Sequence, residues 1–193
     1  MKKTILIIAA LMVTATTGVF AQKNSIKTAP LDLFAGRFGL TYERSVKENL
    51  SVMFTYKKIE KVSRGSASAA FFPLLTILGG STTKRTSGYL AEISVRKYIF
   101  GKNGMSGMYF QPSLAFGEEI IVRQHHGGLL SSENSTPERE EKDLNSFAFR
   151  IGYQWVTEGG FTLDIGSGGR QYFNATEREK SAGVFHCKLG YAF

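Results

Sequence analysis

Apolar and polar residues alternate one by one along most of this chain, and this period of two constrains the fold more than any other feature. Residues 182–193 show it best, with aromatic and aliphatic side chains at most odd positions and small or polar ones at most even positions. Residues 146–157 and 50–57 repeat the alternation, and no comparable stretch has helical spacing with capping residues. The pattern therefore predicts an all-β chain.

The lengths of the connections indicate which all-β architecture forms. The alternating segments give eight predicted strands, at 24–34, 37–46, 50–62, 85–99, 108–124, 144–157, 161–173 and 182–193. Short connections lie at 47–49, 100–107 and 158–160, longer ones at 63–84, 125–143 and 174–181, and a tight one at Ala35-Gly36. Short turns on one side and long loops on the other are typical of outer-membrane barrels. We therefore predict an eight-stranded antiparallel up-and-down transmembrane β-barrel.

The beginning of the chain predicts a cleaved signal peptide at 1–21, followed by the barrel domain at 22–193. A short basic start precedes nine apolar residues at 5–13, and small residues end the segment at Ala21. Nine apolar residues are too few to span the ~30 Å hydrocarbon core of a bilayer as a helix. No cysteine follows the apolar run, so a lipoprotein is not expected.

The two faces of the predicted strands distinguish a membrane barrel from a soluble, lipocalin-like periplasmic barrel. A soluble barrel hides its apolar face inside, whereas a membrane barrel shows that face to lipid. Alternation alone leaves both open, but the apolar faces are rich in the large aromatic residues of interfacial girdles. These are Phe147, Phe149, Tyr153, Trp155, Phe185, Tyr191 and Phe193. The opposite faces carry small residues and charges, which suit a narrow lumen.

The signal segment, the alternating strands and the ending F-H-C-K-L-G-Y-A-F resemble small eight-stranded outer-membrane β-barrel proteins of Gram-negative bacteria. The stretch G-R-F-G-L-T-Y-E-R, residues 36–44, resembles a segment of an uncharacterised family of such barrels. The resemblance covers residues 22–193 and implies the cell outer membrane as location and outer-membrane lipids as partners. It also implies that Tyr191 and Phe193 form an assembly signal for the barrel-insertion machinery. It implies no established activity.

The polar faces predict a network of charges that plugs the lumen. The residues of this network are Asp32, Glu43, Lys57, Glu92, Arg96, Glu119, Arg123, Arg150, Asp164, Arg170, His186 and Lys188. Eight strands leave an interior just wide enough for side chains, and opposite charges offset part of their desolvation. We expect a closed barrel with a structural or surface-interaction role, and a small channel is an alternative. Glu118 falls on the lipid side, which predicts a bulge or a rise above the membrane there.

No catalytic residue, cofactor or metal site is predicted. A lipid-modifying enzyme, a hydrolase or acyltransferase, is the alternative, because His186, Asp164 and Ser167 have the side chains of a catalytic triad. No G-x-S-x-G setting accompanies them, and we interpret His186 as a packed lumen residue. His125 and His126 can reach one metal ion together only in a bent loop, because adjacent residues on a strand point in opposite directions, and we interpret them as loop histidines. One Cys excludes a disulfide scaffold.

The formal charge of +8 does not indicate nucleic-acid binding, because basic residues alternate with acidic ones. The glycines of I-G-S-G-G-R, residues 165–170, resemble a phosphate loop but lack the following Lys-Ser/Thr, so we interpret them as strand-bending glycines.

An apolar segment at 67–80 stands out in the predicted 63–84 loop. Its large side chains are Phe71, Phe72, Leu74, Leu75, Ile77 and Leu78. An apolar loop of this kind is expected to be covered or used. It folds over the barrel mouth, extends the third and fourth strands, or binds an unidentified extracellular partner or the lipid leaflet.

Overall fold

The computed structural model describes residues 23–65, 81–100, 105–126, 136–173 and 180–193. The predicted signal peptide at 1–21 and the apolar side chains at 71–78 lie outside these described residues. None of the helices in the described ranges is long and apolar enough to cross a membrane.

The described residues form nine strands and one short helix. The strands are β1 Asn24–Thr28, β2 Arg37–Lys47, β3 Leu50–Gly65, β4 Ser81–Phe100, β5 Gly107–His126, β6 Glu138–Asp143, β7 Ser146–Val156, β8 Phe161–Tyr172 and β9 Ser181–Ala192, and the helix is α1 Pro30–Phe34. Every pairing is antiparallel, and β1 pairs with β9 while β4 pairs with β5, which closes the sheet on itself.

β6 and β7 together occupy one position in the barrel wall. β6 pairs with residues 118–123 of β5, and β7 pairs with residues 107–115 of the same strand. The nine strands therefore fill eight positions, and the predicted eight-stranded antiparallel barrel is confirmed. The predicted connection at 125–143 is wrong for residues 138–143: they continue the ladder as a strand, with charged side chains that remain largely exposed.

The termini of the barrel and the short turns share one end. The backbone amides of Asn24 and Phe193 donate to each other's carbonyl oxygens at 2.9 and 2.8 Å, so the first and last strands meet there. α1 and the last residues of β3, β5 and β8 lie at the opposite end, which we call the mouth. With the termini on the periplasmic side, the mouth is extracellular.

The first strand is shorter than predicted. β1 ends at Thr28 instead of continuing to residue 34, because Pro30 has no amide hydrogen for a ladder and suits the first turn of a helix. The tight turn is present, and Gly36 takes a φ of 71° there. Asp32 therefore stands on α1 and not on a strand.

The third, fourth and fifth strands are longer than predicted. β3 runs to Gly65 and β4 begins at Ser81, so part of the predicted 63–84 loop is strand. The register between β4 and β5 is continuous from Ser94 and Ser113 up to the mouth. No bulge therefore occurs at Glu118, whose side chain is exposed on the outer face.

The wall has the polarity of a membrane barrel. The predicted girdle residues Phe147, Tyr153 and Trp155 face outward and are 41–46% exposed. Inside, the largest fully buried side chains include Arg96 and Lys27. A water-soluble barrel would need the reverse arrangement, because buried charge and exposed aromatic surface are both unfavourable in water.

Candidate functional site: the polar lumen

The centre of the lumen holds two acidic and two basic side chains, all fully buried. Arg96 donates from Nη2 to Oδ2 of Asp164 at 2.8 Å, and its Nη1 lies 3.6 Å from Oε2 of Glu43. Lys27 donates to Glu43 and lies 3.5 Å from Asp164. The amide oxygen of Gln154 accepts from both Lys27, at 2.5 Å, and Arg96. We call these five residues the central cluster; its formal charges cancel.

Two tyrosines extend the central cluster. Tyr98 donates its hydroxyl to Oε1 of Glu43 at 2.7 Å, and Tyr109 donates to Oδ1 of Asp164 at 2.5 Å. The guanidinium carbon of Arg96 lies 3.7 Å from the centroid of the Tyr109 ring, a cation–π contact in a dry interior. Each charged group thus has several partners, which is the condition for a stable buried network.

Two glycines make room for Tyr109. Gly152 of β7 and Gly166 of β8 are direct register partners, and the Tyr109 hydroxyl lies over both. A β-carbon at Gly166 would lie 2.6 Å from Cε1 of His186 and 2.7 Å from the Tyr109 hydroxyl oxygen. The expectation that Gly166 is a strand-bending glycine is therefore incomplete. The space that a side chain would occupy at this position is filled by His186 and Tyr109.

A second group of charges lies nearer the mouth, and we call it the upper cluster. Arg150 forms a two-pronged pair with Glu92, with nitrogen–oxygen distances of 2.5 and 2.8 Å. Arg170 reaches the same carboxylate from β8 at 2.6 Å. Lys57 pairs with Asp32 of α1 at 2.6 Å, which attaches the short helix to the barrel wall.

His186 and Lys188 of β9 also face the lumen. His186 places Nε2 3.0 Å from the Tyr109 hydroxyl and 3.2 Å from Oδ1 of Asp164. Lys188 donates to the hydroxyl of Thr41 at 3.1 Å. Ser167, the third residue of the enzymatic alternative, is exposed on the outer face of β8. The structure therefore joins the histidine to the aspartate but separates both from that serine.

Ten of the twelve residues predicted in the lumen lie in or beside these two clusters. They are Asp32, Glu43, Lys57, Glu92, Arg96, Arg150, Asp164, Arg170, His186 and Lys188. The other two lie apart, near the mouth. Glu119 lines a cleft there, and Arg123 pairs with Glu138 and Glu140 of β6 at 3.6 and 3.0 Å.

Several lumen residues were not predicted. They are Lys27, Tyr98, Tyr109, Gln111 and Gln154, all buried. The prediction for the first strand is wrong: its inner face carries Lys27, and Asp32 lies on α1. The neighbouring Ile26 carries the signal that was available: an apolar residue belongs on the lipid face, so Lys27 belongs inside.

The predicted assembly residues lie at the barrel seam. Tyr191 is register partner to Ile26 of β1 and to Phe161 of β8, and its ring is exposed on the outer face. Phe193 follows β9 and makes the backbone contacts with Asn24 described above. Their role as a signal for the insertion machinery stays a prediction.

A closed barrel of eight antiparallel positions, with charges inside and aromatic residues outside, is an integral outer-membrane β-barrel. Among solved structures, the chain is similar to Ail, the attachment invasion locus protein of Yersinia pestis, with a TM-score of 0.51 and 12% sequence identity over 90% of this chain and 100% of Ail. A second structure of Ail, in complex with the heparin analogue sucrose octasulfate, gives a TM-score of 0.50 and 11% identity over the same shares. At these identities the likeness concerns the fold. No protein-family model matches the sequence, and no curated protein matches it.

Proposed function

We propose that this chain is a non-enzymatic, non-conducting outer-membrane barrel that presents an interaction surface at the cell exterior. The central cluster is the observation that carries the proposal. It joins β1, β2, β4 and β8 through side chains that are fully buried and mutually neutralised. An ion entering this layer must separate charge pairs whose side chains are fully buried, which is unfavourable.

The upper cluster supports the same conclusion. Glu92 of β4 is contacted by Arg150 of β7 and Arg170 of β8, so a second layer of charge pairs crosses the lumen nearer the mouth. Aqueous channels are found in barrels with many more strands, whereas eight strands leave space that side chains fill. A solute that crosses the lumen would therefore have to pass two successive layers of paired side chains, the upper cluster and the central cluster.

The environment of His186 favours a structural role over catalysis. Its Nε2 is shared between Tyr109 and Asp164, and that aspartate also pairs with Arg96. The three side chains are buried in the wall of the lumen, whereas Ser167 is exposed on the lipid side. A hydrolase needs a nucleophile within hydrogen-bond reach of its base, and Ser167 does not meet that condition.

The mouth is the part of the barrel suited to a partner. β3, β4 and β5 continue toward it as the longest strands of the described chain. Ail, which shares the fold, is by name an attachment and invasion protein and binds a polyanionic heparin analogue in one of its structures. By analogy of fold we assign this chain an extracellular partner at the mouth, in addition to outer-membrane lipids and the insertion machinery. The connection at 63–84 stays a candidate for that contact.

One experiment separates the three hypotheses. Purified barrel is reconstituted into liposomes that enclose a small water-soluble dye, and dye release and lipid composition are followed together. We expect the release rate of protein-free liposomes and unchanged lipids. Dye release would support the channel. Lipid products that disappear in His186→Ala and Asp164→Ala would support the enzyme, and either result would contradict the proposal.

A further inference from the structure

A cleft opens at the mouth, on the inner face of β2 to β5. Its volume is about 270 Å³, and its polar lining consists of Arg37, Lys61, Ser63, Lys84, Thr86 and Glu119. One water molecule takes about 30 Å³ of liquid volume, so the cleft has room for a polyatomic ligand. It lies above the upper cluster, and it belongs to neither group of lumen charges described above.

The charges that line this cleft are not balanced among the residues that the structure describes. Three of its residues are basic and one is acidic. No salt bridge joins Arg37, Lys61 or Lys84 to another residue of the described chain. Deeper in the lumen the arginines are paired with carboxylates, as Arg96 and Arg150 are. Near the mouth Arg123 is also paired, with Glu138 and Glu140. The three basic residues of the cleft therefore differ from the paired arginines of the lumen.

The strand register explains why the basic groups converge. Lys61 stands opposite Thr86, and Ser63 stands opposite Lys84, on adjacent strands. The two lysines are thus diagonal neighbours, separated by about 7–8 Å at their Cα atoms. Like charges at this spacing repel each other, and a bound anion removes that repulsion. The two hydroxyl groups between them add neutral donors to the same surface.

We propose that this cleft binds a soluble extracellular ligand that carries a phosphate or sulfate ester. Arg37 supplies a planar fork of donors suited to such an oxyanion, and Lys61 and Lys84 supply point charges. The cleft lies on the inner face of the barrel wall, which a soluble ligand reaches through the mouth. A lipid headgroup approaches from the outer face, so we assign the cleft to a soluble ligand. This inference rests on the proposed surface role and names the chemistry of the ligand.

The test is calorimetric titration of the detergent-solubilised full barrel with glucose 6-phosphate and, in parallel, with glucose. We expect saturable binding of the phosphate ester only. Arg37→Gln and Lys84→Gln each remove one charge-assisted contact, so the affinity should fall roughly tenfold or more. Glu119→Gln removes the one acidic group of the cleft and should raise the affinity.

The matched control is Lys58→Gln. Lys58 lies on β3 like Lys61, but it faces outward and pairs with Glu60 at 3.1 Å, so its loss should leave the affinity unchanged. An unboiled electrophoretic shift shows that each variant is folded. Absence of saturable binding, equal binding of glucose, or equal affinities of wild type and Lys84→Gln would overturn the proposal.

A second arm tests the source of the ligand. The titration is repeated with the barrel in nanodiscs of phosphatidylcholine, with and without phosphatidylglycerol. We expect the anionic lipid to leave the affinity unchanged, and a severalfold loss of affinity would overturn the assignment to a soluble ligand. Dye release from liposomes tests the closed lumen separately, so failure of this inference and failure of the proposed function give different results.

Discussion

Arg96 of β4 donates to Asp164 of β8 at 2.8 Å, across the lumen. The two strands are not neighbours in the sheet: by the shorter path around the barrel, β5 and β7 lie between them. The backbone ladders connect only neighbouring strands. Side-chain pairs such as this one connect walls that face each other, and both partners are fully buried. The lumen charges therefore brace the barrel across its interior, in addition to closing it.

We predict that Arg96→Met strongly destabilises the barrel. The variant leaves Asp164 and Glu43 with only Lys27 to neutralise them, and loss of one partner of a buried pair costs about 3–5 kcal/mol. Unfolding in urea, followed by loss of the fast-migrating folded band, measures the change. Lys97→Met is the control, because Lys97 is the next residue and faces outward. Equal midpoints for the two variants would show that the central cluster does not brace the structure.

We predict a difference between two glycines of β8. Gly166→Ala places a methyl group against His186 and the Tyr109 hydroxyl, and overpacking of this kind costs about 1–3 kcal/mol. The Tyr109 ring has little freedom to move, since it packs against Arg96 and Tyr98. Gly169→Ala meets no atom within 4 Å and should be nearly neutral. Similar urea midpoints for both would contradict the packing described here.

The sequence predicts the barrel well, because alternation with a period of two indicates where the strands lie and which side chains share a face. Glu43, Glu92 and Arg150 were assigned to the lumen from alternation alone, and all three are buried there. The same alternation places Tyr98 on the inner face with Arg96, and its hydroxyl group belongs to the polar lumen although it carries no charge. An inward tyrosine and an outward girdle tyrosine differ only in register.

Other features could not be obtained from alternation. β1 ends at Thr28, and the alternation of apolar and polar side chains does not mark that end. Asp32 reaches the lumen because Pro30 ends the strand ladder and the helix turns the carboxylate toward Lys57. The cleft at the mouth joins residues from four strands, and their proximity depends on a register that single strands do not encode.

We predict that Phe193 contributes to assembly both through its backbone hydrogen bonds and through its aromatic ring. Deleting Phe193 removes the two backbone hydrogen bonds to Asn24 at the seam, whereas Phe193→Asp keeps those bonds and removes the aromatic ring. Both variants should lower the amount of protein in the outer membrane, measured by immunoblot of membrane fractions. Glu138→Lys, an exposed change in β6, is the control. Wild-type levels for both Phe193 variants would contradict an assembly signal at the terminus.

We predict that residues 1–21 are removed before the barrel reaches the membrane. The basis is the nine-residue apolar run and the small residue at Ala21. Intact-mass spectrometry of protein extracted from membranes should give a chain that begins at Gln22. A mass that includes Met1 would show that the segment is retained.

The closed lumen is tested most directly by single-channel recording of the purified wild-type protein in planar lipid bilayers. Paired charges in the central and upper clusters predict that the current stays at the level of the bare membrane over the voltages it tolerates. Folding of the same sample is verified by its heat-dependent shift in electrophoretic mobility, since a closed barrel resists detergent until heated. Sustained, discrete conductance steps from folded protein would contradict a lumen blocked by its own side chains.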